Sequence, residues 1–284
     1  MHGRTCVITG ATSGIGRATA VALAEMGATL VLVCRDRQRG EDTLAAIAAQ
    51  TGRRDASLVL GDLAVQRDVR RIAAELLAGD RPLHVLINNA GVVNLQRTVT
   101  ADGIETSFAV NHLAPFLLTN LLLDRLHRSA PARVVTVSSE AHRFGRLDFD
   151  DLGNERHYRF MRVYGQTKLA NILFTAELAR RTDGTGVTAN SLHPGAVATS
   201  LGKNNGAWAR AIIALLRPFF RTAEGGAATS VHLASSPAVE GVTGRYFVDC
   251  REKLPSPAAR DAAAARRLWD VSERLTGLAS QPGQ

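Results

Sequence analysis

Cysteine is scarce in this chain. Cys6, Cys34 and Cys250 are far apart, odd in number and without a Cys-x-x-Cys element. That argues against a disulfide-stapled scaffold and a cysteine zinc site, so no metal is expected, and a reducing, cytoplasmic setting fits best. A block of like charge is also missing. The net charge of +8 comes from arginines scattered among alanines, which reads as a solvated basic surface and not as a nucleic-acid-binding tail. Long apolar runs are absent too: none approaches the roughly 18 residues of a membrane span. The first strand-like run begins at Arg4, so neither a leader peptide nor an integral membrane segment is expected.

What is present is ordinary globular composition, 45% hydrophobic and 21% charged over 284 residues, enough to bury a sizeable core. Apolar β-rich runs at Thr5 to Thr9, Thr29 to Cys34, Ala56 to Leu60, Leu83 to Ile87, Arg133 to Ser138, Val187 to Leu192 and Arg245 to Val248 suggest about seven strands. Between them lie helix-periodic segments at Ile15 to Met26, Arg37 to Gln50, Val65 to Ala78, His112 to His127 and Gln166 to Arg180. Alternating β and α units whose strands are apolar on both sides predict an α/β fold, a doubly wound parallel sheet of Rossmann type with helices on both faces. No linker interrupts residues 1–284, so a single domain is expected, with a frayed tail over 279–284.

The first strand runs into Thr9-Gly10-Ala11-Thr12-Ser13-Gly14-Ile15-Gly16, with a helix opening at Gly14. Glycines there allow a sharp turn and close approach of a pyrophosphate to backbone N–H groups at the positive end of a helix. Such a turn alone is weak; directly after the first strand it is a strong sign of a dinucleotide cradle. At the end of the second strand a carboxylate would select NAD and a cation NADP. Cys34 and Arg35 stand there, so NADP(H) is favoured, with Arg17 a weaker second cation; Asp36 would support NAD if the register slipped. Arg35 could instead simply pair with Asp36 or Asp42. Asp62 and Leu63 close the third strand, and Asn88-Asn89-Ala90-Gly91 the fourth. Both sit at carboxyl ends of strands, where open α/β sheets bind ligands; Asp62 is placed for an adenine amino group.

Tyr164 and Lys168 are four apart on a helical segment, hence on one face. An ammonium beside a phenol should stabilise its phenolate and bring it toward use at neutral pH. Ser139, ending the fifth strand, could bond a substrate carbonyl beside Tyr164. Asn111 could hold a water leading from Lys168 to solvent. Individually these are common surface or capping patterns; in this order they form a catalytic set.

The chain resembles the short-chain dehydrogenases/reductases over essentially its full length. The matching elements are Thr9-Gly10-x-x-x-Gly14-x-Gly16, Asn88-Asn89-Ala90-Gly91, Asn111, Ser138-Ser139, Tyr164-Gly165-Gln166-Thr167-Lys168 and His193-Pro194-Gly195. The resemblance implies a tetrad of Asn111, Ser139, Tyr164 and Lys168, a cofactor lying on Gly10, Thr12, Ser13, Gly14, Ile15, Gly16, Asn89, Ala90 and Gly91, and Pro194, Gly195, Val197 and Thr199 near the nicotinamide. It also implies a homodimer or homotetramer. The long interval from Ser139 to Tyr164, with Arg146-Leu147-Asp148-Phe149-Asp150-Asp151-Leu152, is similar to the retinol dehydrogenase branch and its bacterial relatives. So are Cys34-Arg35-Asp36, Lys168-Leu169-Ala170-Asn171 and Leu268-Trp269. The expected activity is transfer of hydride between NADP(H) and a hydrophobic carbonyl or alcohol. An enoyl or imine reductase on the same scaffold, or a regulator that binds NADP without catalysis, are the alternatives. The apolar segment 196–222, including Trp208, Ile212, Phe219 and Phe220, is expected to form a substrate lid, ahead of a packed core helix or a membrane contact. His142 and His157 in the insert are given no role.

Overall fold

The computed structural model describes residues 1–195 and 222–278. The expected lid at 196–222, apart from Thr222, and the tail from 279 lie outside them, as do Val197 and Thr199. Seven parallel strands, β1 (Thr5–Thr9), β2 (Thr29–Cys34), β3 (Ser57–Leu60), β4 (Val85–Asn88), β5 (Ala132–Val137), β6 (Val187–His193) and β7 (Tyr246–Val248), pair in the order β3-β2-β1-β4-β5-β6-β7. An eighth, β8 (Arg251–Glu252), pairs antiparallel with β7 through Val248 and Arg251. Two exposed charged residues carry no apolar signature, which is why about seven strands were legible and the eighth was not.

Alternation along each strand separates the two cores. Cys6, Ile8, Leu30, Leu32, Val85 and Ile87 face one layer, packed on α1 (Gly14–Glu25), α2 (Arg37–Thr51) and α6 (Ala223–Ser235). Val7, Val31, Val33, Leu86 and Val134 face the other, packed on α3 (Gln66–Leu77), α4 (Thr106–Arg128), α5 (Phe160–Arg181) and α7 (Ala262–Thr276). Both faces are covered, which is the reason the strands read as unbroken apolar runs. Helix α4 is long and apolar enough, by length and composition, to cross a membrane, yet 78% of its apolar window is buried inside this fold. Its apolar surface is spent on the sheet and on Phe174 and Trp269, whose rings pack against Phe116.

Helices α6 and α7 were not read as periodic segments. Helix α6 is built of small residues, including Gly225 and Gly226, and starts from Thr222, whose hydroxyl accepts from Gly225 N. Asp261 caps α7 by accepting from the amides of Ala263 and Ala264. Helix α5 begins at Phe160, earlier than Gln166, so Tyr164 sits inside the helix and not at its entrance. The strand order reverses between β1 and β4, on either side of which consecutive crossovers run to opposite edges; the crevice above that point is where such sheets take ligands.

Candidate active site

A cleft of about 650 Å³ opens over the carboxyl ends of the strands. Its floor is the turn after β1. Gly10 has φ +68° and lies so close to Ala90 that a Cβ would come within 2.8 Å of the Ala90 Cα. At Gly16 a Cβ would collide with the Gly10 carbonyl and the Asn89 amide. Asn89 latches the turn from the neighbouring strand, its Nδ2 donating to the carbonyls of Thr9 and Gly10 at 2.9 and 3.2 Å. Thr9 Oγ1 accepts from the amides of Asn89 and Ala90. Thr12, Ser13, Ile15 and Gly16 line the cleft with Gly10, and α1 points its N-terminus there without an acidic residue in its first turn. A backbone held this tightly, with glycines where a Cβ would not fit and a positive helix end facing in, fits a pyrophosphate. Gly14, φ +49°, opens the helix but faces a separate groove.

At one end of the cleft stand Arg35, Asp36, Arg39, Asp62 and Leu63. Arg35 pairs with Asp62 at 3.5 Å, not with Asp36 or Asp42, and its side chain is 73% exposed. Asp62 also accepts from Ala64 N at 2.9 Å, so its carboxylate is already shared between a turn and Arg35. Asp36 caps α2, accepting from Arg39 N at 3.1 Å. Arg39 was missed in the sequence; only the turn of helix that brings residue 39 back over Asp36 puts it on the cleft. Arg17 does not line the cleft and instead borders the groove between α1 and α6, because it lies on the outer side of the helix whose inner side carries Gly16.

At the other end lie Gly91, Ser139, Tyr164, Lys168, Pro194 and Gly195. Gly195 has φ +86°, a conformation that favours glycine. Ser138 is not the serine in question: its hydroxyl donates to the Lys168 carbonyl at 2.7 Å, inside the core. Ser139 lines the cleft, and its hydroxyl accepts from Ala141 N and lies against the Tyr164 phenol. Lys168 Nζ sits 5.5 Å from the centre of the Tyr164 ring and donates to the Val137 carbonyl at 3.1 Å. Asn111 is fully buried in a π-helical turn, Ala109–Leu113, a local widening of α4 of the kind that often marks functional positions. Asn111 and Lys168 meet at Gly91, where a Cβ would come within 3.4 Å of Asn111 Oδ1 and 3.5 Å of Lys168 Nζ.

The Asn111 amide has protein partners, with Oδ1 accepting from Val92 N at 2.7 Å and Nδ2 donating to Val92 O and Thr167 Oγ1. It braces the loop after β4. One expectation needs correction. The phenol of Tyr164 is pushed up to about 12, not lowered: burial outweighs the hydrogen bond from Ser139. Lys168 has itself been driven down to about 8 by burial, so the pair shares a desolvated pocket in which both charged forms are costly.

Residues 4–210 match the family model for short chain dehydrogenase. Mouse retinol dehydrogenase 14 is 49% identical over 98% of this chain and 87% of that enzyme. Human retinol dehydrogenase 12 is 45% identical over 98% and 88%. Among solved structures, an uncharacterised protein of Mycobacterium paratuberculosis superposes with a TM-score of 0.79 at 36% identity, covering 97% of this chain and 94% of that one. Pseudomonas aeruginosa RhlG, solved as an NADP active-site complex, gives 0.70 at 26% identity, covering 87% and 94%. The chain therefore belongs to the short-chain dehydrogenase family of nicotinamide-dependent oxidoreductases. Within that family it is similar to the retinol dehydrogenases.

Proposed function

We propose that this protein is an NADP(H)-dependent oxidoreductase that interconverts a carbonyl and an alcohol on a hydrophobic small molecule, with the whole chain acting as one domain. The observation that carries the reading is convergence within one cleft: a glycine cradle in the middle, two arginines at one end, and Tyr164 with Ser139 and Lys168 at the other. Preference for NADP(H) rests on Arg35 and Arg39 at the cleft, with Asp36 accepting from Arg39 N as the cap of α2. RhlG in its NADP complex is a relative with the same fold.

Gly10, Gly16 and Asn89 would hold the pyrophosphate, and Gly91, Pro194 and Gly195 the nicotinamide end. When bound there, the cofactor supplies the hydride for reduction or takes it up in oxidation. The chain's own residues handle the proton and the alignment. With its pKa raised, Tyr164 is a neutral phenol at physiological pH, the form required to donate a proton to the oxygen of a carbonyl undergoing reduction. Ser139 orients that oxygen. Lys168, charged below about pH 8, returns a proton to the phenolate, and Asn111 holds the Gly91–Val92 loop against it. Val92, Val93 and Val110 line the same cleft and suit an apolar substrate.

The test is oxidation of NADPH and of NADH by purified protein with hydrophobic aldehydes, ketones and activated alkenes. NADPH-dependent carbonyl turnover is expected. Turnover restricted to alkenes, or equal use of NADH, would overturn the respective half of the reading.

A further inference from the structure

The turn that carries Ser139 is tied down from behind by groups the reaction does not use. Ser139 opens a short 3-10 turn, Glu140–Phe144, at the end of β5. His142 in that turn is fully buried. Its Nδ1 lies 2.8 Å from the Ser139 carbonyl, and its Nε2 lies 3.1 Å from the amide nitrogen of Ser256. A backbone N–H can only donate, so Nε2 must be the bare nitrogen. Nδ1 then carries the hydrogen and donates to Ser139. The imidazole is thus held neutral and in one tautomer by two main-chain groups more than a hundred residues apart.

Its surroundings are equally fixed. Tyr246 of β7 packs edge-on against the imidazole at 5.2 Å and donates its hydroxyl to Glu140 Oε1 at 3.0 Å. Glu140 accepts from Arg143 on its other oxygen. At the far end of the turn, Gly145 packs against the backbone of Gly165, the neighbour of Tyr164, with no room for a Cβ on either glycine. The turn is therefore clamped to the C-terminal segment on one side and to α5 on the other, with Ser139 at its start and Gly165, the neighbour of Tyr164, against its end.

We propose that His142 is a positioning residue for the reaction: its Nδ1–H holds the Ser139 carbonyl and so sets the direction of the Ser139 hydroxyl toward Tyr164, while the Ser256 amide locks the tautomer. This rests on Ser139 having the role given it above.

Two variants separate positioning from packing. His142→Leu keeps comparable bulk and loses both bonds. His142→Asn places an amide N–H near the Nδ1 position, keeping the donor to Ser139 and losing the acceptor for Ser256. Both leave the Ser256 amide unpartnered, so similar losses in thermal midpoint are expected. Turnover should differ: kcat falls about tenfold in His142→Leu, the worth of one buried hydrogen bond, and stays within about twofold of wild type in His142→Asn, with the Kd for NADPH unchanged in both. Equal kcat in the two variants would overturn the proposal. Nitrogen NMR of the imidazole gives a readout independent of turnover: a neutral ring protonated at Nδ1 is expected, and a ring protonated at Nε2 or cationic at neutral pH would overturn it. Unchanged kcat in Ser139→Ala would instead sink the assignment of the serine itself.

Discussion

The two ends of the cleft are built on opposite principles. At the arginine end, the charged groups are exposed: the Arg35 side chain is 73% open to solvent, its ion pair with Asp62 spans 3.5 Å, and Arg39 stands on the surface of α2. At the tyrosine end, Lys168 is 3% exposed and Asn111 and His142 are fully buried, each with bonds to main-chain groups. The first end works through charge in high dielectric, where each contact is weak, screened and replaceable. The second works through geometry in low dielectric, where displacing one group disturbs its neighbours. Under the proposed function, cofactor selection falls to the former and proton transfer over a hydrogen bond to the latter, which tolerates displacement less.

That contrast can be broken or sharpened by substitution. The largest effect is expected at the buried end. Tyr164→Phe removes only the hydroxyl and should lower kcat by about 10²- to 10⁴-fold while leaving the Kd for NADPH, read by fluorescence, nearly unchanged. Retained turnover would remove Tyr164 from the chemistry. In the middle, Gly16→Ala places a methyl group against the Gly10 carbonyl and the Asn89 amide. It should weaken binding of NADPH and of NADH by about tenfold alike and cost about 1–3 kcal/mol of stability, seen in denaturant titration; a loss confined to NADPH would contradict the shared cradle. The smallest effects belong to the exposed end. Arg35→Ala and Arg39→Ala should each weaken NADPH by about threefold to tenfold, roughly 1 kcal/mol, with little change for NADH. Both losses should shrink at high salt. An NADPH preference that survives the double variant would place selection elsewhere.

The sheet, its doubly covered faces and the seven parallel strands were legible because burial on both faces of the sheet writes an apolar run into the sequence. The cradle and the Tyr164–Lys168 pair were legible because backbone geometry and helical spacing demand particular residues at fixed intervals. Besides β8, α6 and α7, three features of the site were not. Arg39 reaches the cleft only through the path of α2, and arginine at a helix start is unremarkable in a chain with so many. His142 looked like a loop histidine, since its partner Ser256 lies far along the chain and the bond is to a main-chain amide that leaves no mark on residue identity. The direction of the Tyr164 shift was misjudged because a neighbouring lysine is visible in a sequence, whereas the burial that makes both charges costly exists only in the folded chain.

The two-residue strand β8 has a consequence of another kind. Parallel sheets end in a row of unpaired main-chain donors and acceptors, and β7, only three residues long, would present such a row. The chain folds back on itself there and lays Arg251 and Glu252 over it in the reverse direction, both exposed. A foreign strand arriving at that border meets a short, charged and oppositely oriented hem, a poor template for fibrillar growth.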